Sequence, residues 1–229
     1  MKRVAIVQSN YIPWKGYFDM IDSVDEFILF DDVQFTRRDW RNRNKIKTPQ
    51  GLKWLTIPVR SKGKYDQLII ETEIDGAEWA DKHWHTIRNS YRKTPFFDQV
   101  AAVLEPLYAA PDAMLTQLNM RFLRAMMDWF GMDTRLTLST DYPAQGTKTD
   151  RLLSLCLAAG ATTYVSGPAA KVYMETDKFD AEGIRVEWFD YAGYPEYPQL
   201  WGNFEHGVSA IDLMFNCGPD ARRFMERAA

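Results

Sequence analysis

The sequence holds only 2 cysteines, Cys156 and Cys217, far apart and in apolar surroundings. A structural disulfide is not expected, and both read as buried free thiols. No apolar run reaches the length of a membrane span, and the opening MKRVAIVQSN has too short an apolar stretch for a secretory signal. These absences point to a cytoplasmic protein. The 3 histidines, His83, His85 and His206, include no pair at i, i+4, and no CxxC is present. No metal site is therefore expected. GxSxG, GxGxxG and a Walker A loop are all missing, which removes the serine-hydrolase, dinucleotide and P-loop readings. Nor is positive charge in excess: 28 Lys and Arg against 31 Asp and Glu leave −3, which argues against nucleic acid as a partner.

What is plentiful is aromatic: 8 tryptophans and 11 tyrosines, many in polar stretches. Such rings suit core edges, or the wall of a ligand cleft. The chain's 229 residues suit one domain spanning 1–229.

The stretch VAIVQSNYIPWKGYFDMID organises the rest. Val4 to Val7 form a β-branched apolar run, a buried strand. Gln8 to Pro13 break it, and Trp14, Tyr17, Phe18 and Ile21 then follow helical spacing. Backbone N–H groups at such a helix mouth suit an anion; Gly16 would admit it closely and Lys15 would add charge. The apolar run 26–30, ending in Asp31-Asp32, completes a βαβ unit with parallel strands. Ligands of parallel sheets bind beyond the carboxyl ends of the strands, so Gln8 to Lys15 and the Asp31 region should share one cleft.

A basic run follows, with Arg37, Arg38, Arg41, Arg43, Lys45 and Lys47. It reads either as a solvated face or as a phosphate clamp through bidentate arginines. Residues 44–47 and 52–59 form a hairpin across TPQG. A short strand is expected at 68–70. Three helices fill 79–131; the first carries Trp79, His83, Ile87 and Tyr91 on one face, and Asp112 is a candidate N-cap for the third. Strands at 134–139, 163–165 and 185–189 alternate with helices at 147–159 and 169–176. Ser166-Gly167 would be a second strand–turn–helix mouth. A last helix covers 208–215. The expected fold is α/β, a three-layer Rossmann-like, mainly parallel sheet with a helical insertion and a small β-hairpin.

The segments QSNYIPWKGYF, DDVQFTRRDWRNRNKI, LTIPV, WADKHWHTIRNSYRKTPFF, KTDRLLSLCLAAGATTYVSGPAAKVYM and YPQLWGNFEHGVSAIDLMFNCGP resemble, in order, the WbqC-like protein family of bacterial O-antigen and other surface-polysaccharide gene clusters. More distantly, the opening is similar to the nucleotidylyltransferase group that includes pantothenate synthetase. Trp14-Lys15-Gly16-Tyr17 stands where that group has HxGH, with both histidines replaced.

The resemblance implies a transferase or ATP-dependent amide ligase that joins an acyl or aminoacyl group, such as glycine, to an amino sugar. The small-molecule partners would be a nucleotide-linked amino sugar and an amino acid or acyl donor. ATP and Mg²⁺ are the implied cofactors. His83 and Lys15 are the catalytic candidates, as base and oxyanion donor. Gln8, Tyr11, Trp14, Gly16, Tyr17, Ser166 and Gly167 would hold the cofactor. Asp31, Asp32, Arg37, Arg38, Arg43, Tyr91, Tyr173 and Gln199 would hold the substrate. A non-catalytic glycan-binding protein, stacking sugars on Tyr191, Tyr194, Tyr197 and Trp201, is the alternative from another class. A homodimer is left open.

Overall fold

The computed structural model describes residues 1–225. β1 (Arg3–Val7) leads through α1 (Lys15–Asp22) to β2 (Glu26–Leu29), which lies parallel to it. β3 (Arg43–Thr48) and β4 (Gly51–Thr56) form a separate antiparallel hairpin. Three helices follow, α2 (Glu78–Tyr91), α3 (Phe97–Ala109) and α4 (Leu115–Phe130). β5 (Arg135–Leu138), α5 (Lys148–Ala158), β6 (Thr163–Ser166), α6 (Thr176–Ala181), β7 (Arg185–Trp188) and α7 (Ala210–Cys217) complete the chain order.

The main sheet has the order β5-β2-β1-β6-β7 and is parallel throughout. The chain grows outward from β1 through β2 to β5, then returns to the other side of β1 for β6 and β7. This is a doubly wound, Rossmann-like sheet, with its switch point between β1 and β6. Strand alternation sends Ala5, Phe27 and Leu29 to one apolar cluster, together with residues of α1 to α4 and α7. Val4, Ile6 and Ile28 go to the opposite cluster, with Leu155 of α5 and Phe179 of α6. Two helical layers therefore cover the sheet.

The helical face read on α2 is real: Trp79, His83, Ile87 and Tyr91 are all buried. Three local expectations are corrected. Residues 68–70 form no strand, because Ile69 and Ile70 spend their N–H groups on the irregular segment after β2, at Val33 O and Asp31 O. Pro168–Val172 is a 3-10 turn, not the start of a helix over 169–176, and α6 begins only at Thr176. Asp112 does not cap α4: the N-cap is Met114, and Asp112 instead pairs with Arg121 at 2.9 Å.

Residues 190–207 lack regular structure but are pinned at several points. Tyr194 donates to Asp19 (2.6 Å), Tyr197 to Asp212 (2.9 Å), and Trp201 Nε1 to Ser90 O (2.9 Å). Asp212 also accepts from Tyr91 at 2.8 Å, and burial pushes its carboxyl above the usual range. Asp212→Ala would leave two buried hydroxyls without that acceptor, at about 1–3 kcal/mol each. Urea unfolding should show a loss of about 2–4 kcal/mol, and limited proteolysis should cut faster within 190–207.

Candidate functional site

The turn after β1 is the most constrained piece of backbone near the switch point. Ile12 has φ +37, a region that β-branched residues rarely enter. Asn44 on β3 holds it there: its Nδ2 donates to Tyr11 O (3.1 Å) and Ile12 O (3.0 Å). Arg41 holds the other half, donating to Asn10 Oδ1 and, at 3.1 Å, to Gln8 Oε1. Asn10, Pro13, Trp14, Trp40, Asn44 and Gly207 thereby enclose a largely apolar cavity of about 300 Å³.

The rim of this cavity is basic and aromatic. Trp40 is 42% exposed, and its ring lies 5.3 Å from that of Trp54. The Arg43 guanidinium sits 4.2 Å over Trp54, with Lys45 Nζ at 5.8 Å. Lys45 has no carboxylate within ion-pairing distance among the described residues. A side chain on Gly207 would lie 3.5 Å from Lys45 Nζ and 3.1 Å from Glu205, so glycine keeps this rim open. Two tryptophans, the Asn10 amide and the unpaired Lys45 ammonium suit a polar ring stacked on indole and joined to an anionic group.

Of the expected site residues, Gln8, Trp14, Tyr17 and Gly167 are brought together. Tyr17 donates to Gln8 O at 3.0 Å. The ring of Tyr191 lies 5.4 Å from that of Trp14, and its hydroxyl would be 3.7 Å from a Cβ on Gly167. Ser166 is buried beneath them, its carbonyl accepting from Phe189 N.

The α1 mouth does not fit the phosphates of ATP. A Cβ on Gly16 would stand 2.4 Å from the Trp14 ring, so glycine makes room for that indole rather than for a ligand. Residues 208–210 close over the same corner, with Ala210 N donating to Pro13 O. Lys15 turns away from the mouth: it is 2% exposed, donates to Pro195 O at 2.8 Å, and lies over Tyr194, Tyr197 and Phe204. Burial pulls its amine down to about 8.

Nor do Asp31 and Asp32 fit Mg²⁺. Asp31 accepts from Ser9 N and Thr116 Oγ1 at 2.8 and 2.7 Å, is 1% exposed, and is pushed above the usual range by burial. Asp32 is engaged by Ser139 and Arg151.

The other expected residues lie elsewhere. Tyr11 and Tyr91 are fully buried. Gln199 spends its amide on Tyr197, Lys47 and Glu205. Arg37 reaches Ser61 O and Tyr65, and Arg38 offers its carbonyl to Arg43. Tyr173 is exposed at a separate cavity, beside Phe30 and Leu152 of the opposite layer. The aromatic tail is equally committed, since Tyr194, Tyr197 and Trp201 all bond inward.

His83 takes a position that favours structure over proton transfer. Its Nδ1 meets Tyr11 OH at 3.0 Å, the ring also bonds the Thr56 carbonyl, and burial pulls its pKa down to about 4. Asn10, Trp40, Arg41 and Asn44 were not among the expected site residues. Trp40 interrupting the basic run was the available signal.

The fold and cavity define a doubly wound α/β protein with a tryptophan-lined pocket at the carboxyl ends of its strands. The chain belongs to the WbqC-like protein family, whose model matches residues 8–224. Rv1507c of Mycobacterium tuberculosis (strain H37Rv) is similar to it, 52% identical over 226 residues that cover 98% of each chain. No solved structure matches. Among the described residues no helix is long and apolar enough to cross a membrane.

Two outcomes are expected. Asn44→Ala should release the Ile12 turn, lowering stability by about 2–3 kcal/mol in urea unfolding. His83 protonates near pH 6.5 in the unfolded chain but only near 4 in the fold, so the unfolded state binds the extra proton between those values. Wild-type stability should therefore fall relative to His83→Gln as pH drops from about 6.5 to about 4. The difference is on the order of 2–3 kcal/mol and is read from paired denaturation curves.

Proposed function

We propose that the protein is an enzyme of surface-glycan biosynthesis that transfers an acyl or aminoacyl group onto the amine of a nucleotide-linked amino sugar. The observation that carries this reading is the cavity itself. Trp14 and Trp40 line it with indole that suits a sugar ring, and Asn10, held by Arg41, adds an amide. Arg43 and Lys45, over Trp54 at the rim, supply positive charge that suits a linked phosphate. Family membership supports the glycan context.

The attacking amine must lose a proton, which suits a neutral base. Because neither the α1 mouth nor the aspartate pair fits ATP and Mg²⁺, this reading takes the acyl group from an already activated donor such as a thioester, whose thiol leaves with the proton taken from the amine.

A second reading, a glycan-binding protein without turnover, is favoured by the inward commitment of Lys15, Asp31, Asp32 and His83. Thermal-shift titration with UDP- and dTDP-amino sugars, followed by mass analysis with aminoacyl and acyl donors, separates the two. Trp40→Ala should weaken sugar-nucleotide binding about 10-fold or more, the scale of one lost stacking partner. An unchanged dissociation constant in Trp40→Ala would count against the cavity as the sugar site. Tight binding with no mass change under any donor would favour the second reading.

A further inference from the structure

The tryptophan cavity holds one amide whose orientation the fold decides. Arg41 donates from Nη1 to Asn10 Oδ1 and from Nη2 to Gln8 Oε1, the second at 3.1 Å. A guanidinium only donates, so the atoms it meets are the amide oxygens, and the amide nitrogens are left over. The Arg41 side chain is 14% exposed, lies 3.5 Å from the Asp39 carboxylate, and is not part of the cavity wall.

The two asparagines of the wall therefore differ. Asn44 has no group to spare: Nδ2 bonds Tyr11 O and Ile12 O, and Oδ1 accepts from Lys45 N at 2.8 Å. Asn10 Nδ2 has no acceptor among the described residues, yet it is not shut off from solvent. On a residue that lines the cavity, it is the polar atom left for a ligand. The indole N–H of Trp14 is in the same state. The carbonyls of Pro13, Trp14 and Trp40 already accept, from Ala210 N, Tyr17 N and Tyr11 N.

Every polar side-chain group of the wall that remains free is thus a donor, and the Lys45 ammonium at the rim adds another. Carboxylates stand nearby but are engaged: Glu205 accepts from Gly207 N at 2.8 Å, and Asp39 from Trp40 N at 2.7 Å. An acceptor entering such a wall finds partners, whereas an ammonium loses its water and finds none. Indole faces draw cations too, but Arg43 and Lys45 already lie over Trp54, and their charge repels another.

We propose that Asn10 determines the specificity of this cavity and that Arg41 is its positioning residue. By gripping the Asn10 oxygen, Arg41 leaves Nδ2 to the cavity. The cavity then takes a ring carrying an uncharged acceptor, such as an amide carbonyl, in preference to the same ring carrying an ammonium. That preference follows from the wall itself; that the carbonyl belongs to an acylated amino sugar rests on the function proposed above.

Calorimetric titration at about pH 6, where aliphatic amines keep their charge, compares two ligand pairs: N-acetylglucosamine with glucosamine, and benzamide with benzylamine. The wild type should bind the amide of each pair about 10-fold more tightly or better, the scale of one desolvated polar group left without a partner. Asn10→Asp, with its fold checked by circular dichroism, puts an acceptor where the donor stood and should reverse the order. Arg41→Met should erase the preference, and Arg41→Lys, which still donates to Asn10 Oδ1, should keep most of it. A mere loss of packing would weaken both ligands of a pair alike and leave their ratio unchanged. The wild-type preference persisting in Asn10→Asp or Arg41→Met would overturn the proposal. So would an ammonium that the wild type binds more tightly than its amide, or no binding of any of the four compounds. A preference for benzamide with no binding of either sugar would uphold it and remove the sugar reading instead.

Discussion

The two hydrogen bonds from Asn44 Nδ2 to Tyr11 O and Ile12 O hold the molecule's central turn in a backbone conformation that Ile12 would otherwise leave. Strain of this kind costs on the order of 1–3 kcal/mol and persists only where neighbours overdetermine it. Here the neighbour is the β3–β4 hairpin, an element outside the main sheet. Its docking holds the carbonyls of Tyr11 and Ile12, presents Trp54 to Trp40, and forms one wall of the cavity proposed to bind ligand. The hairpin thus connects the switch point of the parallel sheet to the basic, aromatic surface above it.

A second constraint is the burial of titratable groups among hydroxyls. Tyr108, Tyr11 and His83 form one chain, while Tyr91, Tyr197 and Gln199 surround Asp212. Asp31 is shared by Ser9 and Thr116. Desolvation moves each of these groups toward its neutral form, and the hydrogen bonds make that burial tolerable. Side chains of catalytic type are in this way used to fasten loops to helices. Outside these networks stand the exposed Trp40 and Trp54 rings and the Lys45 ammonium, beside the hairpin.

How far the site was legible depended on the range of each interaction. The β1 turn and the basic run were readable, and Gln8, Trp14, Tyr17 and Gly167 do lie near one another, but of these only Trp14 lines the cavity. Gly16 misled because a glycine at a helix mouth has two explanations: approach by a ligand, or by the chain's own indole. Only the position of the Trp14 ring distinguishes them. Lys15 misled likewise, since its neighbours are Pro195, Tyr194 and Tyr197, far away in sequence. The basic run gave no sign of which cations were free. Arg37 is spent on Ser61 and Arg41 on Asn10, while Lys45 has no such partner.

By itself the sequence determined the α/β class, the βαβ opening, the hairpin, the buried face of α2 and membership of the WbqC-like family, because these follow from local periodicity and from order along the chain. Only the tertiary structure decided which polar groups face solvent and which face one another. Pairings such as Lys15 with Pro195, Tyr91 with Asp212 and Arg151 with Asp32 span more than a hundred positions. No periodicity encodes them, because each depends on where two separate elements come to rest against the sheet.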